Sequence, residues 1–380
     1  MAMGDGLKKK LKVYLSLVVV QFGNVGFAII AKAALNHGTS HYTFSVYRNL
    51  IAALLFAPFA FVLERKIRPK MTFSVFIKIM LLGLLDPVFG QNMFYSGLNY
   101  TSATFAAAMC NLLPAITFVM AWVLRIEKVN LREARSHAKI VGTMVTVGGA
   151  MIMTLLSGPV IPLPWTHKSH QSHSSSNSND HENPIKGALM IAAGCFGYSL
   201  FYILQAVTLK TYPAGLSLTT LICTFGALEG TVLTFIVERG NTAIWALGWN
   251  AKLLAYVYGG IVASGVTYYL SGVIMKEKGP VFLTAFNPCT MVIVAIFSSF
   301  IFHEQMTVGK VTGAMVIVAG LYFVIWGKSK DHKEEAVKLT ELPQQKPPAA
   351  AAPNHQDPSS KPAKTDGGSQ TISGAGHNAV

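Results

Sequence analysis

The sequence predicts an all-α polytopic membrane protein: ten transmembrane helices in a 5+5 inverted repeat, with the N- and C-termini cytoplasmic. Three observations predict it. Of 380 residues, 52% are hydrophobic and 13% charged, where soluble domains carry about 25% charged residues. The apolar residues gather into runs long enough to cross a bilayer, which takes about 20 residues. A glycine ladder also occurs twice. Gly83, Gly90 and Gly97 stand every seven residues, and Gly265 and Gly272 repeat the last two rungs 175 residues later, with Gly259 and Gly260 beside the place of the first. A second echo follows in the same order, Gly142-Thr-Met-Val-Thr-Val-Gly-Gly149 against Gly313-Ala-Met-Val-Ile-Val-Ala-Gly320. Related halves in an apolar chain are the build of membrane transporters with internal repeats.

Taken in order, residues 1–12 form a basic cytoplasmic N-terminus. Runs at about 13–35, 43–63, 73–96, 102–124 and 139–157 make a first repeat of five spans, 13–157. The first run is too long for the apolar stretch of a cleaved signal peptide and lacks a small-residue cleavage site. Residues 158–186, rich in Pro, Ser, His and Asn, have no periodicity and read as a disordered extracytoplasmic linker. Runs at about 187–209, 217–237, 252–274, 281–302 and 309–327 make the second repeat, 187–327. The cytoplasmic tail, 328–380, cannot bury a core from about residue 331 onward and reads as disordered.

Five spans is an odd number, so the second repeat enters the membrane from the opposite side. The formal charge of +14 carries the orientation. With the N-terminus inside, nineteen Lys and Arg fall on the cytoplasmic side and five outside, the asymmetry of the positive-inside rule. Glycine at every seventh position bares one helix face, so the third and eighth spans are expected to pack closely on each other near the pseudo-twofold axis. Pro114 and Pro288, inside the fourth and ninth spans, are expected to kink their helices and free backbone carbonyls.

The sequence offers no foothold to soluble-enzyme chemistry. It has no phosphate-binding glycine loop, Walker motif or His/Asp/Ser constellation, so no enzyme activity, cofactor or nucleic-acid partner is expected. Cys110, Cys195, Cys223 and Cys289 all lie inside spans and read as packing residues. His167, His170, His173 and His181 read as solvated, and no metal site is assigned.

Polar residues inside spans carry the function. An ionisable group there costs about 2.5–3.5 kcal/mol on insertion scales. Asp86, on the ladder helix, and Glu229, in the seventh span, are the deep acids, while Lys32 and Arg48 lie toward the outer ends of the first and second spans. Around them are Gln21 and Asn24; Gln91, Asn92 and Tyr95; Thr104 and Asn111; Gln205; Tyr268; and Asn287. Amides and hydroxyls of this kind suit a small polar solute. A zwitterion finds its carboxylate anchor in Lys32 or Arg48 and its ammonium acceptor in Asp86 or Glu229, and a buried carboxylate also serves a coupling proton.

Several motifs carry a resemblance: Gln21-Phe-Gly, Ala34-Leu-Asn-His-Gly38, Tyr47-Arg48, Tyr100-Thr-Ser-Ala-Thr-Phe105, Asn111-Leu-Leu-Pro-Ala115, Arg125-Ile-Glu-Lys-Val129, Gly279-Pro-Val-Phe282, Asn287-Pro288 and Gly320-Leu-Tyr-Phe-Val-Ile-Trp-Gly-Lys328. Over about residues 13–330 the chain resembles the plant nodulin-type, Walls-Are-Thin-related transporters, also called "usually multiple acids move in and out" proteins. These carry EamA repeats and belong to the drug/metabolite transporter superfamily. The resemblance implies a facilitator or exporter of amino acids or related organic acids at the plasma membrane. Some relatives act at the vacuolar membrane, and auxin or another small organic anion is the alternative cargo. It carries over Gln21, Lys32, Arg48, Gln91, Asn92, Tyr95, Thr104, Asn111, Pro114, Tyr268, Asn287 and Pro288. Asn24 and Leu270-Ser271 depart from the family pattern, while Asp86 and Glu229 rest on burial cost alone.

Overall fold

The apolar runs are helical in the computed structural model, which describes residues 2–36, 40–98, 100, 103–127, 132–156, 159–161, 184–238, 242–245, 251–301 and 306–341. Helices α1 (Ala2–Asn36) and α2 (His41–Leu63) are the first two spans. The third is one rod of three parts: α3 (Phe73–Gly83), a π-helical segment Leu84–Gly90, and α4 (Gln91–Leu98). Thr72 starts it by accepting the Val75 N–H on its hydroxyl at 3.4 Å. The fourth is broken into α5 (Ala103–Cys110) and α6 (Leu113–Val123), with Pro114 at the start of α6, where its missing N–H costs nothing. Helix α7 (Ala134–Leu155) is the fifth.

The second half follows with α8 (Pro184–Thr211) and α9 (Gly215–Val237). Its third member is again a rod of three parts: α10 (Ala251–Tyr258), a π-helical segment Gly259–Val266, and α11 (Thr267–Lys278). Gly279, at φ 85°, ends it in a conformation that favours glycine. The ninth span is broken like the fourth, into α12 (Pro280–Ala285) and α13 (Asn287–Ile301), with Pro288 in the first turn of α13. Among the described residues nine helices are long and apolar enough to cross a membrane. The fourth span falls short because it is interrupted at Asn111 and Leu112.

The last helix, α14 (Val308–Glu341), runs past residue 327, where the composition changes. Of the linker expected at 158–186, Pro159, the short strand β1 (Val160–Ile161) and residues 184–186 are described; the last are helical and begin α8, and β1 pairs antiparallel with β2 (Met306–Thr307). Residues 162–183 and 342–380 lie outside the described residues. By contacts the chain divides into Met1–Glu335 and Ala336–Val380, and of the second unit only 336–341, the end of α14, is described.

Packing is reciprocal between the halves. Helix α2 lies along α9; the third span packs on α8 and α9, and the eighth packs on α1 and α2. Helices α5 and α6 pack on α8, and α13 packs on α1. Wholly buried Ile79, Leu82, Phe201, Leu218 and Ile222 fill the centre. Leu54, Val119, Met144, Leu189, Leu228 and Met315 are exposed, the outward apolar surface a helix bundle presents to lipid.

The glycine ladders do not meet each other, contrary to the expectation from their spacing. A Cβ on Gly83 would fall 2.8 Å from Phe225 Cβ on α9, and one on Gly97 2.9 Å from the Gly187 carbonyl on α8. In the other ladder a Cβ on Gly260 would fall 2.8 Å from the Arg48 carbonyl on α2. Glycine faces glycine instead in the second echo. A Cβ on Gly142 would fall 2.8 Å from the Gly320 carbonyl, and one on Gly313 2.7 Å from that of Gly149, so α7 and α14 cross backbone to backbone.

Matching glutamates clasp the two ends of the α2–α9 pair. Glu64, just after α2, accepts the Leu216 and Ser217 N–H groups at 2.9 and 2.7 Å, capping the start of α9. Glu238, just after α9, accepts the hydroxyl of Ser40, the residue before α2, at 3.1 Å.

Candidate functional site

Arg48 and Asp86 organise the interior. Arg48, 4% exposed, leaves α2 toward the eighth span, where a Cβ on Gly259 would fall 3.0 Å from its Cδ. The absence of that Cβ admits the stem. The guanidinium lies over the Phe27 ring, 5.1 Å from its centroid, and its Nε has no hydrogen-bond partner. Asp86, 8% exposed, sits in the first π-helical segment. Such segments depart from the α-helical hydrogen-bond ladder and occur often at functional sites.

The two charges lie in each other's field without forming a direct ion pair. Gln91 Nε2 donates to Asp86 Oδ1 at 3.4 Å. Ser45 Oγ sits 2.9 Å from the Pro87 carbonyl and 3.2 Å from Gln91 Oε1, and it donates to one of them at a time. The Tyr268 hydroxyl stands beside Asp86 without closing a hydrogen bond of ordinary geometry. Asn92 donates to the Val88 carbonyl at 2.6 Å and leaves its Oδ1 buried and unpartnered. Asn49 Nδ2 donates to the Ser45 carbonyl at 2.9 Å, and its Oδ1 accepts from Ser264 Oγ at 3.0 Å.

Three tyrosines complete the wall. Tyr95 is within the field of Arg48, Tyr202 within that of Asp86, and Tyr198 within both. Gly90 makes room for Tyr198, since a Cβ there would fall 2.9 Å from the ring. Each ladder thus receives a side chain of this cluster, Tyr198 in one half and Arg48 in the other. A buried arginine, a buried carboxylate and unpartnered amide and hydroxyl oxygens leave hydrogen-bonding capacity that a polar solute can fill.

A cavity of about 280 Å³ opens at the end of the bundle where α1 begins. Lys12, Glu64, Lys276 and Glu277 line it, with Gln205 and Tyr268 deeper in. At the opposite end, Tyr47 donates to the Trp245 carbonyl at 2.8 Å and its ring packs on Tyr256 at 5.2 Å.

The sequence matches the model of the EamA-like transporter family over residues 11–155 and again over 185–326. The chain belongs to this family. The EamA-like chain is also 54% identical to a WAT1-related protein of Arabidopsis thaliana, over 85% of this chain and 86% of that one. A second Arabidopsis WAT1-related protein is 54% identical over 86% and 85%, and a third is 52% identical over 87% of both. One crystal structure shares the fold with a TM-score of 0.63 at 13% identity, covering 84% of this chain and 98% of that one. The protein is therefore an integral membrane transporter of the WAT1-related group, with small molecules as its class of substrate.

Within this EamA-like bundle the residues expected from sequence divide into groups. Arg48, Asp86, Gln91, Tyr95 and Tyr268 come together, and Gln205 joins through Tyr268, whose carbonyl accepts its Nε2 at 3.1 Å; Asn92 is buried on α4, bound to the Val88 carbonyl. Glu229 does not join them: it is half-buried on α9, outside the field of Arg48 and Asp86, with Oε2 unpartnered. Gln21 accepts from Thr290, tying α1 to α13. Asn111 donates to the Ala150 carbonyl at 3.3 Å and to Thr154 at 3.1 Å, bracing the break in the fourth span. Asn24 and Asn287 are half-buried on α1 and α13. The side chains of Lys32 and Thr104 lie outside the described residues.

Sequence reasoning missed Ser45, Asn49, Tyr198, Tyr202 and Ser264. The signal was there for four of them. Ser45, Arg48 and Asn49 stand at i, i+3 and i+4, and Tyr198, Tyr202 and Gln205 at i, i+4 and i+7, each a single helix face.

Proposed function

We propose that this transporter is a secondary facilitator of amino acids, working by alternating access with export or bidirectional flux. The observation that carries the reading is the buried Arg48 and Asp86, which lie in each other's field with no ion pair between them. Arg48 binds the substrate carboxylate and Asp86 its ammonium, with Gln91 fixing the acid. A zwitterion seated between them offsets both desolvation penalties, whereas a singly charged solute offsets one.

The inverted 5+5 arrangement, with repeats at 13–157 and 187–327, is supported by the reciprocal packing, the paired breaks at Asn111–Leu112 and Phe286, and the ladder-matched π segments. In that frame the Lys/Arg asymmetry puts both termini in the cytoplasm, and the cavity among Lys12, Glu64 and Lys276 faces inward. Asp86 is also the candidate carrier of a coupling proton. The plasma membrane is the favoured location and the vacuolar membrane the alternative.

A second reading, an aromatic carboxylate such as auxin, is favoured by the wall of Tyr95, Tyr198, Tyr202 and Tyr268 beside a single arginine. Uptake and efflux of labelled amino acids and auxin in the same expressing cells, with and without a pH gradient, separates the two. Amino-acid flux above the untransformed background supports the first reading. Auxin flux alone replaces it with the second, and flux independent of the gradient removes the proton.

A further inference from the structure

Tyr268 stands both on the vestibule and beside the charged pair. Lys12, Glu64, Lys276 and Glu277 line the vestibule, while Tyr268 borders it from its deep end. None of Arg48, Asp86, Gln91 or Asn92 lines that cavity. Tyr268 is 6% exposed, and its buried hydroxyl stands beside Asp86 without closing a hydrogen bond of ordinary geometry. What holds Tyr268 is its backbone. Gln205 donates to the Tyr268 carbonyl at 3.1 Å, while the ring is retained by packing, with the Phe201 centroid at 5.3 Å.

The far end is closed differently. Tyr47 there hydrogen-bonds the Trp245 backbone and packs on Trp245 and Tyr256; His41 lies over Tyr95, and Glu238 holds Ser40. Several contacts from four helices and a connecting segment close that side; on the vestibule side Glu64 holds the start of α9, and the Tyr268 ring stands between the open cavity and Asp86.

We propose that Tyr268 is the barrier between the vestibule and the Arg48–Asp86 site, and that it sets the size of the amino acid admitted from that end. Gln205 is its positioning residue: it fixes the backbone so that only the ring swings, and its unpartnered Oε1 offers an acceptor to an ammonium that has passed the vestibule carboxylates of Glu64 and Glu277. The inference rests on the amino-acid reading for its substrate, but not for the existence of the barrier.

Cys223 reports on the barrier without any transport. It is wholly buried, within the field of Asp86, and its thiol lies 4.0 Å from the carbonyl of Ser264, one turn beyond Tyr268. The full-length purified protein is treated with a charged methanethiosulfonate, and modification of Cys223 is followed by peptide mass spectrometry. The wild type and Tyr268→Phe are expected to react slowly, and Tyr268→Ala about tenfold or more faster, because a buried thiol reacts only through openings. Tyr268→Leu gives the same comparison with a branched apolar residue in place, should the alanine variant not fold. Equal rates in wild type and both truncations overturn the barrier. In transport, the ratio of tryptophan to alanine flux is expected to rise about tenfold in Tyr268→Ala and to stay constant in Tyr268→Phe, the size discrimination one pocket residue supplies. An unchanged ratio overturns the specificity role. Faster labelling with no flux of any amino acid leaves the barrier standing and removes the substrate reading instead.

Discussion

Arg48 reaches the middle of the bundle across Gly259, where a Cβ would lie 3.0 Å from its Cδ and equally close to Phe27. The ladder therefore has a second use beyond helix packing, because its bare face admits the one arginine of the central cluster. Gly259→Ala has to push Arg48 or Phe27 aside, at a cost of about 1–3 kcal/mol for overpacking. Transport at equal membrane expression is expected to fall about tenfold, which corresponds to about 1.4 kcal/mol. Gly148→Ala is the control, since a Cβ there meets nothing within 4 Å. Equal flux in both variants would refute the packing argument.

Glu64 and Glu238 occupy equivalent places after α2 and α9 but hold their partners unequally. Glu64 binds two backbone N–H groups, Glu238 one hydroxyl. Hydrogen bonds to charged groups contribute about 1.5–3 kcal/mol each at most, and less where water competes. Glu64→Ala is therefore expected to lower the melting temperature of the detergent-solubilised protein more than Glu238→Ala does. The reverse order would contradict the clasp.

Lys139 and Glu127 pair at 3.0 Å with both side chains nearly fully buried. Lys139→Met removes this cation from the buried Glu127 carboxylate and is expected to lower stability, by up to about 3–5 kcal/mol. The double variant Lys139→Met/Glu127→Leu should recover part of that, because the carboxylate that lost this cation is gone as well. Folded yield by size-exclusion chromatography checks it: a double variant no better than the single one would show that the pair itself is indispensable.

Depth was legible in the sequence and direction was not. Asp86 stood out because an ionisable residue in mid-span is rare, and Glu229 stood out for the same reason. Only the rotation of α9 separates them, and the glycine-rich face around Gly226 and Gly230 does not say which way Glu229 turns. For Arg48 the packing of Gly259 and Gly260 against α2 gives the direction; the Lys32 side chain lies outside the described residues. The apolar helices and the two glycine echoes could be read directly, and the prolines announced kinks near Pro114 and Pro288 where the structure has breaks, since periodicity and proline act locally. The π segments could not. Leu84–Gly90 contains an Asp-Pro step, but Gly259–Val266 contains none, so no shared local pattern announces them. The ladder spacing misled about partners because it records which face is bare, not which helix fills it.

The most direct test of the central claim compares three labelled solutes in cells expressing wild type, Arg48→Gln and Asp86→Asn: an amino acid, its deaminated acid and its decarboxylated amine. If Arg48 holds the carboxylate and Asp86 the ammonium, both variants lose about tenfold or more of the amino-acid flux, the loss expected for a charge-assisted hydrogen bond. Asp86→Asn keeps whatever flux of the deaminated acid the wild type supports, and Arg48→Gln loses it. Amino-acid flux at the wild-type rate in both variants, at matched protein in the membrane, would contradict the claim.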